Sequence, residues 1–198
     1  MKNYYKSKGC SYIRNQIAER DGAARTEAVF DRANRLCEEY KKKYRASGAE
    51  GIHLSMITTR AALYTVLKEE YPDDAWEWID RMTWHESQPM KKFIGVITSN
   101  KALRVIVMPM MRKMTRRMFG NKAGFDNKEV EVKKDVYAFD IYECPYKKWC
   151  AEMGVPELTK VFCDADHYSY DGLPCFEFSR SSTLGYDGEK CDFWCWLK

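Results

Sequence analysis

Apolar side chains recur at three- and four-residue spacing through the first half of the chain and alternate through much of the last third, so helices are expected to precede strands. Val29, Phe30, Ala33, Leu36, Cys37, Tyr40 and Tyr44 form one apolar stripe on an otherwise charged helix. A second helix is predicted to follow Gly51, with Ile57, Ala61, Tyr64, Leu67 and Tyr71 on one face and Pro72 at its end. Asp74 and Glu77 stand at capping-box spacing, and the helix they open is expected to turn Trp76, Ile79 and Met82 inward. The texture changes after Gly120 and Gly124. Glu129 to Lys133 and then Tyr137, Phe139 and Ile141 alternate as strands do. Pro145 and Pro156 suit the first position of a helix, giving short helices over about 145–153 and 156–169. Cys175 to Ser182 and Lys190 to Leu197 read as two further strands joined by Thr183 to Gly188. The predicted fold is α+β. A helical part over 1–122 is followed, over 123–198, by a small antiparallel sheet in the order β-β-α-α-β-β with helices against it, the two parts forming one compact unit.

Composition narrows the function classes. Of 198 residues, 45% are hydrophobic and 31% charged, ordinary for a globular chain and too apolar for general disorder. The longest apolar run, Val105 to Met111, falls far short of the roughly 20 residues a bilayer span needs. The opening Met1 to Lys6 has no apolar stretch of the kind a secretory signal carries, so a cytoplasmic address is expected. The net charge of +4 hides an asymmetry: residues 1–122 carry 24 Lys/Arg against 14 Asp/Glu, and residues 123–198 carry 9 against 15. The stretch from Lys91 to Lys122 holds nine basic residues and no acid, interleaved with Met108, Met110, Met111, Met114 and Met118. It reads as a basic amphipathic helix at a membrane surface or nucleic acid, or as a core helix with solvated cations and gap-filling methionines. No nucleic-acid-binding motif accompanies the charge, which favours the core helix and makes a nucleic-acid partner unexpected.

Six of the eight cysteines (Cys144, Cys150, Cys163, Cys175, Cys191, Cys195) crowd into the last 55 residues, where they read as reduced thiols that pack, bind metal or react. No glycine-rich phosphate loop, nucleophile elbow or C-x-x-C pair occurs. His85-Glu86 does not begin a zinc-protease helix, because Pro89 stands where the second histidine belongs. Cys144 immediately precedes Pro145, where a helix N-terminus would lower a thiol's pKa; the alternative is a buried cysteine closing a strand. Cys163 shares a helix face with Asp166 and His167, which is the chemistry of an activated nucleophile or half a metal site. Arg180 follows Phe176 and Phe178 on one strand face, suited to a substrate carboxylate or to a structural pair with Asp192 or another acid. Cys144, Cys163 and Cys191 lie too far apart in sequence to give a metal-ligand signature, and neither metal nor cofactor is expected.

The run Cys144-Pro145-Tyr146, Gly154-Val155-Pro156-Glu157-Leu158 and Cys163-Asp164-Ala165-Asp166 resembles the L-2-amino-thiazoline-4-carboxylic acid hydrolase family. The likeness continues through Phe178, Arg180, Thr183-Leu184, Gly188 and Cys191-Asp192-Phe193. It implies a bacterial, cytoplasmic protein that opens a 2-aminothiazoline ring to N-carbamoyl-L-cysteine. On that resemblance Cys163 or Cys144 is the candidate nucleophile, with Asp166 as base or ring-nitrogen partner and His167 beside it. Arg180 is the carboxylate clamp, and Thr183, Cys191 and Asp192 complete a site for a small carboxylic acid. A domain that binds a small ligand or senses it without turnover is the alternative.

Overall fold

In a computed structural model the structure describes residues 3–198; Met1 and Lys2, part of the opening segment considered above, lie outside it. The helices are α1 (Lys8–Asp21), α2 (Ala23–Lys43), α3 (Gly48–Glu70), α4 (Ala75–Ser99), α5 (Lys101–Arg104), α6 (Val107–Met118), α7 (Pro145–Glu152) and α8 (Thr159–Tyr170). The strands are β1 (Asp126–Val132), β2 (Val136–Glu143), β3 (Phe176–Ser179) and β4 (Cys191–Leu197). They form one antiparallel sheet in the order β1-β2-β4-β3. The fold is α+β, and its second half follows the predicted β-β-α-α-β-β order.

The α2 and α3 stripes do what their spacing predicts: Val29, Phe30, Ala33 and Cys37 are buried, as are Ile57, Ala61, Tyr64, Leu67 and Tyr71. They build a first core with α1 and α4, which also takes Cys150, Met153, Leu158 and Val161 from the second half of the chain. A second core lies between the inner face of the sheet and α4 and α6, around Ile94, Met108, Tyr137, Phe176 and Cys195. Tyr146 packs against both.

Several local expectations are corrected. α1 was invisible to periodicity because only Gly9, Cys10, Ile13 and Ile17 of its residues are buried. Trp76 points outward, edge-on to Tyr64, and Trp78 takes the buried place instead. Asp74 makes no capping bond and pairs with Arg20 at 2.7 Å. α4 runs straight through Pro89, its buried residues lying on both sides of it. The basic stretch is not one helix: Asn100 stops α4, and its Oδ1 accepts the N–H groups of Ala102 and Leu103 to start α5. The predicted strand over 175–182 shortens to β3, since residues 180–182 leave the ladder to meet α8 and Asp192.

Candidate functional site

A cavity of about 1060 Å³ lies between α1, α3, α4 and α6 on one side and α8 with the inner face of the sheet on the other. Its larger wall side chains include methionines and aromatics, among them Met82, Met111, Phe139, Phe162 and Phe193. Polar groups enter at separate poles.

At the pole formed by α8 and the sheet stand Cys163, Asp166 and Arg180. One helical turn on α8 brings Cys163 and Asp166 to the same face, as their spacing requires. Arg180 emerges just beyond β3 and donates to Asp166 Oδ2 at 2.7 Å and to the Cys163 carbonyl at 2.9 Å. Its guanidinium also lies 5.4 Å from the Phe193 ring centroid, and only 3% of the side chain is exposed. Burial raises Asp166 to about 6, and the adjacent Arg180 charge only partly offsets that rise. Burial likewise raises the Cys163 thiol, against a hydrogen bond from Thr183 and the Arg180 charge. Thr183 Oγ1 donates to Cys163 Sγ at 3.1 Å and lies 3.4 Å from Cys191 Sγ, which also accepts the Leu184 N–H at 3.3 Å. Residue 185 must be glycine for this closeness: a Cβ there would stand 2.6 Å from Cys163 Sγ. Thr183 and Cys191 are therefore brought to Cys163 by the loop before β4.

The other predicted residues separate from this group. Cys144 caps α7 and lines the cavity, but its pKa moves against expectation: burial pushes it up to about 12, and the N–H groups of Tyr146 and Lys147 only partly offset that. His167 turns away, its Nδ1 3.0 Å from Asp171 and its ring edge-on to Phe178. Asp192 is not the partner of Arg180. It accepts from Ser181 Oγ at 2.5 Å and the Ser182 N–H at 2.6 Å. Burial disfavours its charge, yet these bonds hold its carboxyl below the usual range.

Four further groups were not found by sequence reasoning. His53 of α3 meets the Met118 carbonyl through Nε2 at 2.6 Å and Tyr146 Oη through Nδ1 at 2.7 Å. A carbonyl only accepts, so Nε2 carries the proton; burial lowers the pKa and keeps the ring neutral, and Nδ1 then accepts from Tyr146. Both ring nitrogens are engaged, which makes His53 a strut between α3, α6 and α7. Arg60, two turns along α3, is bonded to Glu86, which Ser7 also reaches. Arg60 is buried over the Phe162 ring, and its Nε has no hydrogen-bond partner among the described residues. The available signal was a lone arginine within the apolar run of α3, and Glu86 hid inside a dipeptide set aside for good reason. Among the described residues no group of three or more His, Cys, Asp or Glu side chains could hold a metal ion.

A family profile described as L-2-amino-thiazoline-4-carboxylic acid hydrolase matches residues 52–195. No curated protein matches the sequence. Solved structures with similar chain traces include an H-NOX protein from S. oneidensis in its Fe(II)NO state, at 10% identity and TM-score 0.35, with 97% of this chain and 99% of that one covered. Another is the SO2144 H-NOX domain from Shewanella oneidensis in the Fe(II)CO state, at 9% identity and TM-score 0.37, covering 96% and 97%. A third is an unliganded Fe(II) H-NOX protein from K. algicida, at 11% identity and TM-score 0.35, covering 97% of each chain.

Proposed function

The chain belongs to the L-2-amino-thiazoline-4-carboxylic acid hydrolase family, and from that premise we propose that it hydrolyses a small cyclic amidine-bearing acid, with 2-amino-thiazoline-4-carboxylate as the first candidate. The observation that carries this reading is Asp166: a carboxyl raised to about 6, facing the cavity and held by Arg180. A base with a pKa near neutrality is mostly ionised at working pH and still takes a proton readily. Asp166 removes a proton from water as the water oxygen bonds to the carbon between ring sulfur and nitrogen, the C=N π pair moves onto the ring nitrogen, and Asp166 passes that proton to the nitrogen. The carbon–sulfur bond then breaks as the new hydroxyl becomes the carbonyl, and Asp166 carries the hydroxyl proton to the departing thiolate, giving N-carbamoyl-L-cysteine. Cys163, raised by burial, stays a thiol at neutral pH, which favours water over a covalent sulfur adduct. Arg180 spends two donors on Asp166 and the Cys163 carbonyl, so it positions the base. Arg60, with its unpartnered Nε, is the guanidinium left to meet a substrate carboxylate.

Mass spectrometry of 2-amino-thiazoline-4-carboxylate incubated with the protein tests this. Wild type is expected to form N-carbamoylcysteine, Cys163→Ala to keep activity, and Asp166→Asn to lose about 10²–10⁴-fold. Equal loss in Cys163→Ala would move the attack to sulfur. No product from folded wild type overturns the hydrolase reading. The size and apolar walls of the cavity favour one second reading, a domain that binds a small ligand without turnover. It is separated by ligand-dependent stabilisation without product.

A further inference from the structure

The cavity is not closed on its helical side. Ile52 and Met56 of α3, Met90 of α4 and Met114 of α6 line it and are also exposed, so three helices give its mouth an apolar rim. Phe93 and Val96 follow Met90 at three-residue steps that carry exposed apolar side chains progressively round α4 toward solvent, and Val96 is 59% exposed. Leu103, Val105 and Ile106 stand out around the α5–α6 junction, Val105 at 63%. Scattered exposed apolar residues need no explanation; four at the mouth of one cavity, with more on the neighbouring segment, do.

Along the α4–α6 side of this surface, beyond Met90, the charge has one sign. The nine basic residues between Lys91 and Lys122 are interrupted by no acid, and among the described residues only Arg116 forms an ion pair, with Glu129 at 2.8 Å. Arg117 follows Met114 by one turn, Lys113 neighbours it, and Lys101 and Arg104 flank Leu103, so cations border the apolar side chains. Exposed apolar residues within a cationic border match an anionic lipid surface: the first enter the headgroup region and the second meet the phosphates. A nucleic acid would meet the cations but offers no apolar phase to the aliphatic Val96, Leu103, Val105 and Ile106.

We propose that the mouth of the cavity, with the α4–α6 segment beside it, docks on an anionic phospholipid bilayer, leaving the cavity open toward the lipid. This inference is independent of the hydrolase reading. Sedimentation of the full chain with vesicles tests it. The protein is expected to pellet with equimolar phosphatidylcholine and phosphatidylglycerol, far less with phosphatidylcholine alone, and less at high salt. Val105→Asp combined with Ile106→Asp is expected to abolish pelleting. Lys113→Gln with Arg117→Gln is expected to weaken it about five-fold per charge removed. Circular dichroism reports whether each variant is folded; should the aspartate pair unfold, the exposed glutamine pair decides. Failure to pellet with anionic vesicles, or pelleting that folded variants leave unchanged, overturns the proposal. So does a dimer of the free protein that the aspartate pair dissociates, which would make this face a contact between copies.

Discussion

Asp166 is held between burial, which favours its proton, and Arg180, which favours its charge, and burial prevails. A carbon-detected NMR titration should place its midpoint at about 6. In Arg180→Gln the midpoint should rise further, because the removed cation was opposing burial; a wild-type midpoint near 4 would sink both expectations. The linkage has a definite sign. Folded Asp166 keeps its proton up to about 6, where an ordinary aspartate releases it near 3.8, so its contribution to stability is full below 3.8 and is lost as pH rises through 6. Cys163, Asp166 and Arg180 were legible in the sequence because one helix turn and one strand end bring them to a common pole. Arg60, Glu86 and Tyr146 come from three helices, and only the closed fold makes neighbours of them. The thiol of Cys144 shows the converse: its place at a helix start was legible, but the direction of its pKa depended on burial that no local pattern records.

Among the elements, α1 rests on the closest approach. A Cβ at Gly9 would stand 2.5 Å from the Met82 carbonyl oxygen, so α1 crosses α4 backbone to backbone. Gly9→Ala should therefore force the two helices apart and cost about 1–3 kcal/mol, read as a lower urea midpoint at unchanged slope. An unchanged midpoint would show that the crossing yields cheaply. The stripes of α2 and α3 and the alternation in β2 and β4 were readable because each turns its large apolar residues toward a shared core. α1 was missed because only Cys10, Ile13 and Ile17 among its apolar side chains are buried, too few to mark a stripe, while its closest approach is made by a glycine. The extent of α4 was not legible, because it continues past an internal proline, Pro89. In the fold, Gln88 donates its side-chain amide to the Trp84 carbonyl in the turn where the proline removes an N–H.

At the scale of the molecule, the second half of the chain is sewn into the first. Tyr44 Oη donates to the Glu152 carbonyl at 2.9 Å, Tyr40 Oη reaches Met153 at 3.4 Å, and Lys68 pairs with Glu157. Unfolding followed by far-ultraviolet circular dichroism, dominated by helices, and by tryptophan fluorescence, which includes Trp194 and Trp196 of β4, should give one coincident transition. Two separated midpoints would show two independently stable parts. The reversal of charge between the halves was visible in the sequence, but the large space they enclose was not, since a cavity is a property of how walls stand apart. Six side chains of that wall are methionines, contributed by α3, α4 and α6. An unbranched thioether turns about three bonds at little cost and offers polarizable sulfur to whatever it meets. That part of the lining has no single outline. It moulds itself to guests of differing contour, so selection among them falls to the aromatic rings opposite and to the few fixed charges at the poles.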